Sequence, residues 1–261
     1  MPGVRDSWDD RIRRADALSA EAGPAGSMLV FYASLLRIQK DIYDSFRNRR
    51  VTGDVGADAS PEMQLAPPLL KMTLAAGPAA LRERAEQMLA RLPSFDDIVR
   101  PFWHKPSDRD FFGKTLVQPY LQRLVDNRIG PRYRDHLRGE RRCPICGGAP
   151  QLSILEEHAE TLASGGRQLQ CANCLNRWTF RRVVCAHCGE EDEAKLGYFR
   201  SEEFAHLRID SCDTCRRYLK TIDLGRLGLA VPLVDEVAGA ALDAWAVERG
   251  YEKIELNLVG M

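Results

Sequence analysis

The chain is 261 residues long, and its 37 Lys and Arg balance its 37 Asp and Glu at a formal charge of zero. A chain of that length can bury a core without covalent help. A neutral balance excludes any global attraction to nucleic acid or to an anionic membrane.

Residues 1–18 carry charges throughout and lack an apolar h-region, so no signal peptide is expected. No apolar run approaches the roughly 18 residues that a bilayer span requires, so no direct membrane insertion is expected. Met28, Leu29, Tyr32, Leu35, Leu36, Gln39, Ile42, Tyr43 and Phe46 recur at helical spacing and predict one buried stripe. Residues 54–60 read as a polar, Gly-containing break, after which Ser60-Pro61-Glu62 reads as an N-cap with proline at the first helical position. Leu81 to Leu92 predicts a further helix, stopped by Pro93. Asp96-Asp97 reads as a hydrated like-charge pair. From Asp110 to Leu137, Phe111, Leu116, Tyr120, Leu121 and Leu124 give an apolar side, with a kink expected at Pro119 and a break at Gly130-Pro131.

The remainder contains every cysteine of the chain, as four Cys-x-x-Cys pairs: Cys143/Cys146, Cys171/Cys174, Cys185/Cys188 and Cys212/Cys215. Gln151 to Glu157 predicts a short strand, Ser164-Gly165-Gly166 a turn, and two more strands enter Cys171 and cross Arg177 to Arg182. Lys195 to Arg200 and Ala205 to Asp210 predict paired strands, with Tyr218 to Asp223 following. The spacers between knuckles, 24 residues from Cys146 to Cys171 and 23 from Cys188 to Cys212, suggest duplication of one small unit. Val231 to Arg249 predicts a helix with Val234, Val237, Ala241, Leu242 and Trp245 buried. Gly250 reads as its C-cap and Tyr251 to Val259 as a last strand.

The expected fold class is therefore α+β. An α-helical domain covers residues 1–140, and two tandem rubredoxin- or zinc-ribbon-like units of four cysteines each cover 141–182 and 183–224. A C-terminal helix and strand cover 225–261.

A pair of cysteines two residues apart lets one turn aim both sulfurs at a single ion, and two such pairs complete a tetrahedral site. A chain without an export signal meets a reducing, cytoplasmic milieu, where such cysteines hold metal more readily than disulfides. Eight cysteines imply two ions, zinc or iron, which spacing does not distinguish. Sequential pairing, with Cys143, Cys146, Cys171 and Cys174 on one ion and Cys185, Cys188, Cys212 and Cys215 on the other, follows from the ease with which a hairpin joins successive knuckles. An interleaved cross-brace uses the same residues. Gly147 and Gly189 follow two of the knuckles and suit φ > 0, whereas Leu175 and Arg216 follow the others.

Four sulfurs leave no open coordination position, so a structural role is favoured over Lewis-acid catalysis. No phosphate-cradling glycine loop, nucleophile elbow or His-Glu-x-x-His helix occurs, and no catalytic residue is assigned. His187 reads as a solvent-facing turn residue rather than an alternative ligand, and His158 beside Glu156 and Glu157 as an exposed hairpin. Trp178, Tyr198 and Tyr218 are expected to cover the metal sites as core. Glu190 to Glu193 reads as a hydrated loop, and Arg181-Arg182 and Arg216-Arg217 as surface. From Cys143 to Lys220 there are 10 Lys and Arg against 11 Asp and Glu, and eight thiolates make that balance more negative still. This is the wrong sign for a nucleic-acid partner.

The arrangement resembles the formate dehydrogenase accessory protein family, FdhE. The likeness rests on CPICGGAP from Cys143, LQCANCLNRWTFRRVVCAHCG from Leu169, CDTCRRYLKT from Cys212, DEVAGAALDAWAVERGY from Asp235 and FFGKTLVQPYLQRL upstream. The resemblance implies a non-enzymatic cytoplasmic factor that binds the formate dehydrogenase catalytic subunit before its export by the twin-arginine route. It implies iron held in a rubredoxin-like manner by all eight cysteines. A rubredoxin-like redox protein serving the same maturation and a zinc-ribbon nucleic-acid binder are the rival readings; a homodimer is left open.

Overall fold

The computed structural model describes residues 6–21, 25–61, 63, 66–130, 141–156 and 166–261. Glu62, Pro131 to Leu137, Glu157, His158, Ser164 and Gly165, named above, lie outside the described residues. The chain has mixed helices and sheet, with a helical region toward its N-terminus and all eight cysteines in the C-terminal part. Among the described residues, one compact unit comprises 8–130 with 258–260, and the other 6–7, 141–257 and 261.

The helical unit holds α1 (Trp8–Glu21), α2 (Gly26–Ser45), α3 (Val55–Asp58), α4 (Ala66–Ala76), α5 (Ala79–Ala90), α6 (Phe95–His104) and α7 (Phe111–Asp126). The α2 stripe is buried at Leu29, Tyr32, Leu35, Leu36, Gln39 and Ile42, as its periodicity predicts, while Met28 and Tyr43 are half-buried. The stretch at 54–60 is not simply a break: Asp54 caps α3 by accepting from the N–H groups of Gly56 and Ala57. Ser60 Oγ does accept from the Met63 N–H at 3.0 Å, yet the next helix starts only at Ala66. Burial of α7 is more complete than an apolar side requires, for every residue from Phe111 to Leu121 is enclosed. The helix runs through Pro119 as one element. The polar groups drawn inside with it find partners, because a buried donor left alone costs about 1–3 kcal/mol. Gln39 Nε2 donates to the Thr115 carbonyl and to Gln118 Oε1, both at 3.1 Å. Buried Asp58 accepts from Tyr120 on α7 and from the Thr52 and Gly53 N–H groups.

In the second unit β1 (Pro150–Leu155), β2 (Arg167–Cys171), β3 (Arg177–Thr179), β4 (Leu196–Arg200), β5 (Leu207–Cys212), β6 (Arg217–Asp223) and β7 (Glu252–Lys253) form a single sheet. The order is β3-β2-β1-β6-β5-β4, with β7 on β6. Each run of three consecutive strands is an antiparallel meander, and the two meanders join where β1 lies parallel to β6, Leu152 opposite Lys220 and Ile154 opposite Ile222. The repeat suggested by the spacers is thus laid side by side in one sheet. One face carries Leu152, Ile154, Leu207, Ile209, Tyr218 and Ile222 and packs on α8 (Pro232–Ala238) and α9 (Ala240–Glu248). The other buries Leu169, Leu219, Phe180, Val184, Ala186 and Ile254.

The single helix expected over Val231 to Arg249 is two helices parted at Gly239, and Ala241 is exposed. A Cβ on Gly239 would stand 2.5 Å from Leu207 Cδ1, so the break lets the chain press against β5. Gly250 does close α9, with φ +75 and its N–H on the Val247 carbonyl. The terminal strand shrinks to the two residues of β7.

Candidate metal centres

Each cysteine pair sits on a turn with the same backbone. The residue after the second cysteine has positive φ in all four: Gly147 (+69), Leu175 (+59), Gly189 (+85) and Arg216 (+55). In three of them its N–H returns to the carbonyl of the first cysteine, at 2.9 Å for Gly147, 3.2 Å for Leu175 and 3.0 Å for Gly189. Leu175 and Arg216 hold this left-handed conformation despite their side chains, at a cost of roughly 1–2 kcal/mol each. The glycine signal in the sequence therefore marked two of four equivalent turns. Its absence from the others reflects strain tolerated, not a different turn.

Sheet pairing brings the turns together in sequential fashion. The β1–β2 hairpin joins Cys143 and Cys146 to Cys171 and Cys174, and the β4–β5 hairpin joins Cys185 and Cys188 to Cys212 and Cys215. The interleaved cross-brace is not formed. Within each quartet all four Sγ atoms lie within 4.8 Å of one another. Cys143 to Cys174 and Cys146 to Cys171 are 3.4 Å apart, and Cys185 to Cys215 and Cys188 to Cys212 are 3.7 Å apart. A disulfide spans about 2.05 Å, so these are free thiols. Sulfurs at about 2.3 Å from a tetrahedral ion stand about 3.8 Å apart, so both quartets fit one ion each; the metal's identity is not set by this geometry. Backbone donors face the sulfurs: the N–H groups of Asn173 on Cys171 (3.4 Å) and of His187 on Cys185 (3.4 Å), with the Asn176 amide on Cys143 (3.7 Å).

The thiols of Cys146, Cys171 and Cys174 hydrogen-bond to Cys143 and hold it well below the ordinary thiol range. Burial pushes Cys171 and Cys174 far up. A divalent ion at their centre would let all four sulfurs ionise. The quartets differ in access. Cys143, Cys146, Cys171 and Cys174 are all buried, and a Cβ on Gly148 would meet Cys171 Sγ at 3.0 Å and Cys146 Sγ at 3.3 Å. In the second quartet Cys188 and Cys215 are only half-buried.

The other candidates find different places. His187 is exposed and outside the quartet, and its carbonyl accepts from Arg141 at 2.8 Å. Tyr218 is core and the half-buried Trp178 packs against the core of the other sheet face, but Tyr198 is 47% exposed and is not core. Asp97 is no idle carboxylate, because it closes a capping box with Ser94 at the start of α6. Glu190 likewise shapes a turn, its carboxylate accepting from Thr214 Oγ1 at 2.6 Å and the Asp192 N–H at 3.0 Å.

Two features were not singled out from the sequence. Arg167, 3% exposed, donates to the carbonyls of Arg181, Arg182 and Val184 and to Ser153, and pairs with Asp210 at 3.3 Å. It thereby fixes the chain entering Cys185 to the strand that ends at Cys171. The second is an enclosed charge cluster of Lys220, Glu236, Asp243 and Lys253 beneath α8 and α9.

The FdhE central-domain model matches residues 142–182 and the FdhE C-terminal-domain model residues 183–259. Over 257 residues the chain is 28% identical to the FdhE homolog of Aquifex aeolicus, an alignment covering 89% of this chain and 86% of the relative. Residues 142–259 thus match the central and C-terminal domains of FdhE, and the chain is similar to FdhE proteins along most of its length. Other FdhE proteins align over less: the Haemophilus ducreyi homolog at 33% identity covers 49% of this chain and 41% of its own. The Escherichia coli O127:H6 protein, also at 33%, covers 55% and 44%. The crystal structure of FdhE from Pseudomonas aeruginosa shares the fold, with a TM-score of 0.67 at 23% identity over 97% of this chain and 95% of that one. Among the described residues no helix is long and apolar enough to cross a membrane.

Proposed function

We propose that this chain is a non-enzymatic accessory factor in the formation of active formate dehydrogenase, the role associated with the family it resembles. In this reading it acts in the cytoplasm as an assembly chaperone, binding the catalytic subunit before export. Its eight cysteines hold two ions, with iron favoured by the resemblance. The observation that carries the reading is the pair of all-sulfur quartets, since four protein ligands on each ion leave no position for a substrate. Pull-down with a formate dehydrogenase catalytic subunit under anaerobic, metal-replete conditions tests it. Retention is expected, and its loss in a metal-stripped sample would tie binding to the sheet unit; no retention of the loaded protein counts against the reading.

The half-buried Cys188 and Cys215 favour one alternative, electron transfer through the second quartet. A visible band that bleaches and returns at a physiological potential supports it. Colourless, zinc-loaded protein that still retains the subunit removes it.

A further inference from the structure

An edge strand of a sheet presents a row of backbone groups to any chain able to pair with it, and native proteins blunt or cover such edges. Among the described residues β4 pairs with β5 alone. The register shows which of its groups are spare. The Asp213 N–H donates to the Lys195 carbonyl, so the hydrogen-bonded partners continue as Gly197 with Ser211 and Phe199 with Ile209. The ladder on the far side of β5 agrees, since the Asp223 N–H donates to the His206 carbonyl and assigns the even-numbered residues of β5 to β6. The N–H and C=O groups of Tyr198 and Arg200 and the carbonyl of Leu196 therefore point away from the sheet, while the Leu196 N–H donates to the Glu193 carbonyl. Phe199 anchors the strand from the opposite face, its ring 4.4 Å from Trp245, and the exposed Tyr198 ring stands beside the open edge under the Arg208 guanidinium. No proline or inward charge protects this edge.

Charge selects the occupant. Residues 190–203 contain six acidic and two basic side chains, and the acids lie at both ends of β4, at Glu190 to Glu193 and at Glu202-Glu203. Glu193, Glu202 and Glu203 are exposed and make no ion pair among the described residues. The second quartet adds to this, since Cys212 lies opposite Leu196. A second copy of the chain is disfavoured: pairing β4 with itself, in either direction, sets acidic runs beside acidic runs. We propose that the open edge of β4 binds an extended, basic peptide segment by strand addition, with backbone bonds to the Leu196 carbonyl and to both groups of Tyr198 and Arg200, and basic side chains against the two acidic flanks. The surface is independent of the client's identity.

The test uses the metal-loaded full chain and a fluorescein-labelled decapeptide alternating Thr and Arg, with a Thr/Glu counterpart. Anisotropy should report binding of the Thr/Arg peptide that weakens with salt, and none of the Thr/Glu peptide. Tyr198→Pro removes an outward N–H without touching the β5 ladder, and should weaken binding at least tenfold with circular dichroism and metal content unchanged. Should that variant misfold, the probe carries the test instead, N-methylated at alternate residues in the two possible phases. One phase should lose binding and the other keep it. Equal binding by both phases, wild-type affinity in a folded Tyr198→Pro protein, no binding at all, or a dimer abolished by Tyr198→Pro would each overturn the proposal.

Discussion

Lys220 on β6 and Glu236 on α8 form an ion pair of 3.0 Å in which both side chains are wholly enclosed. The pair is part of a balanced group of four. Lys220 also reaches Asp243 and the Glu236 carbonyl, Lys253 reaches Glu236 and Asp243, and Tyr218, Asn257 and Gln151 fill the remaining positions on the two carboxylates. Breaking such a buried group by removing one partner leaves an uncompensated charge and costs about 3–5 kcal/mol. Lys220→Met should lower stability by that amount. Urea denaturation followed by circular dichroism measures it, and a change under about 1 kcal/mol would contradict an enclosed pair.

The same cluster predicts an acid response. Burial acts to raise the Glu236 carboxyl, but Lys220 and then Lys253 outweigh it and hold the group at about 2, against an ordinary 4.5. A carboxyl depressed on folding binds fewer protons in the native state, so its contribution is complete above pH 4.5 and fades as pH falls toward 2. Up to about 3 kcal/mol should be lost across that window. Acid also strips thiolate sites of their ions, so the informative quantity is the difference in slope between wild type and Glu236→Gln. The variant, though less stable at neutral pH, should show a flatter acid limb; identical slopes would exonerate Glu236.

The cysteine spacing was legible because a site of four cysteines is built from local turns and hairpins, and the strands beside the knuckles could be placed to within a few residues. What escaped depended on distant partners. Lys220 alternates with Tyr218 and Ile222 and so shares the core face of β6, a signal of a buried charge, but its carboxylate partners lie 16 and 23 residues further on. The α8–α9 break at Gly239 answers to Leu207 on another strand, and the parallel β1–β6 pairing that merges two expected units joins residues 68 apart. In the helical half, the reading of Asp96-Asp97 as a hydrated like-charge pair passes over α6, whose start Ser94 and Asp97 mark three residues apart as a capping box.

Exposure should separate the two ions kinetically. All four sulfurs of the first quartet are buried, while Cys188 and Cys215 of the second meet solvent. A coloured chelator such as pyridylazoresorcinol should release two ions per chain in two phases, the faster from the second quartet. Cys188→Ser should abolish the fast phase and keep the slow one. Cys143→Ser should lose the slow ion and unfold its hairpin, leaving the helical unit's circular dichroism in place. Equal rates, or the reverse assignment, would contradict the burial difference.

Leu175 and Arg216 occupy equivalent left-handed positions, but glycine should be tolerated at one and not at the other. Glycine removes roughly 1–2 kcal/mol of conformational cost at either. Arg216 is exposed, and its contacts are a 3.0 Å pair with Asp213, a bond to the Arg249 carbonyl and stacking 4.0 Å from the Tyr251 ring. Contacts of this exposed kind are worth about 1 kcal/mol or less each. Arg216→Gly should therefore stay within about 1 kcal/mol of wild type. Leu175 is 7% exposed and belongs to the core beneath the sheet, where truncating a leucine costs about 2–5 kcal/mol. That loss exceeds the strain it relieves, so Leu175→Gly should be clearly destabilising. Denaturation of the two metal-loaded variants side by side decides it, and equal stabilities would mean that packing at Leu175 is looser than its burial indicates.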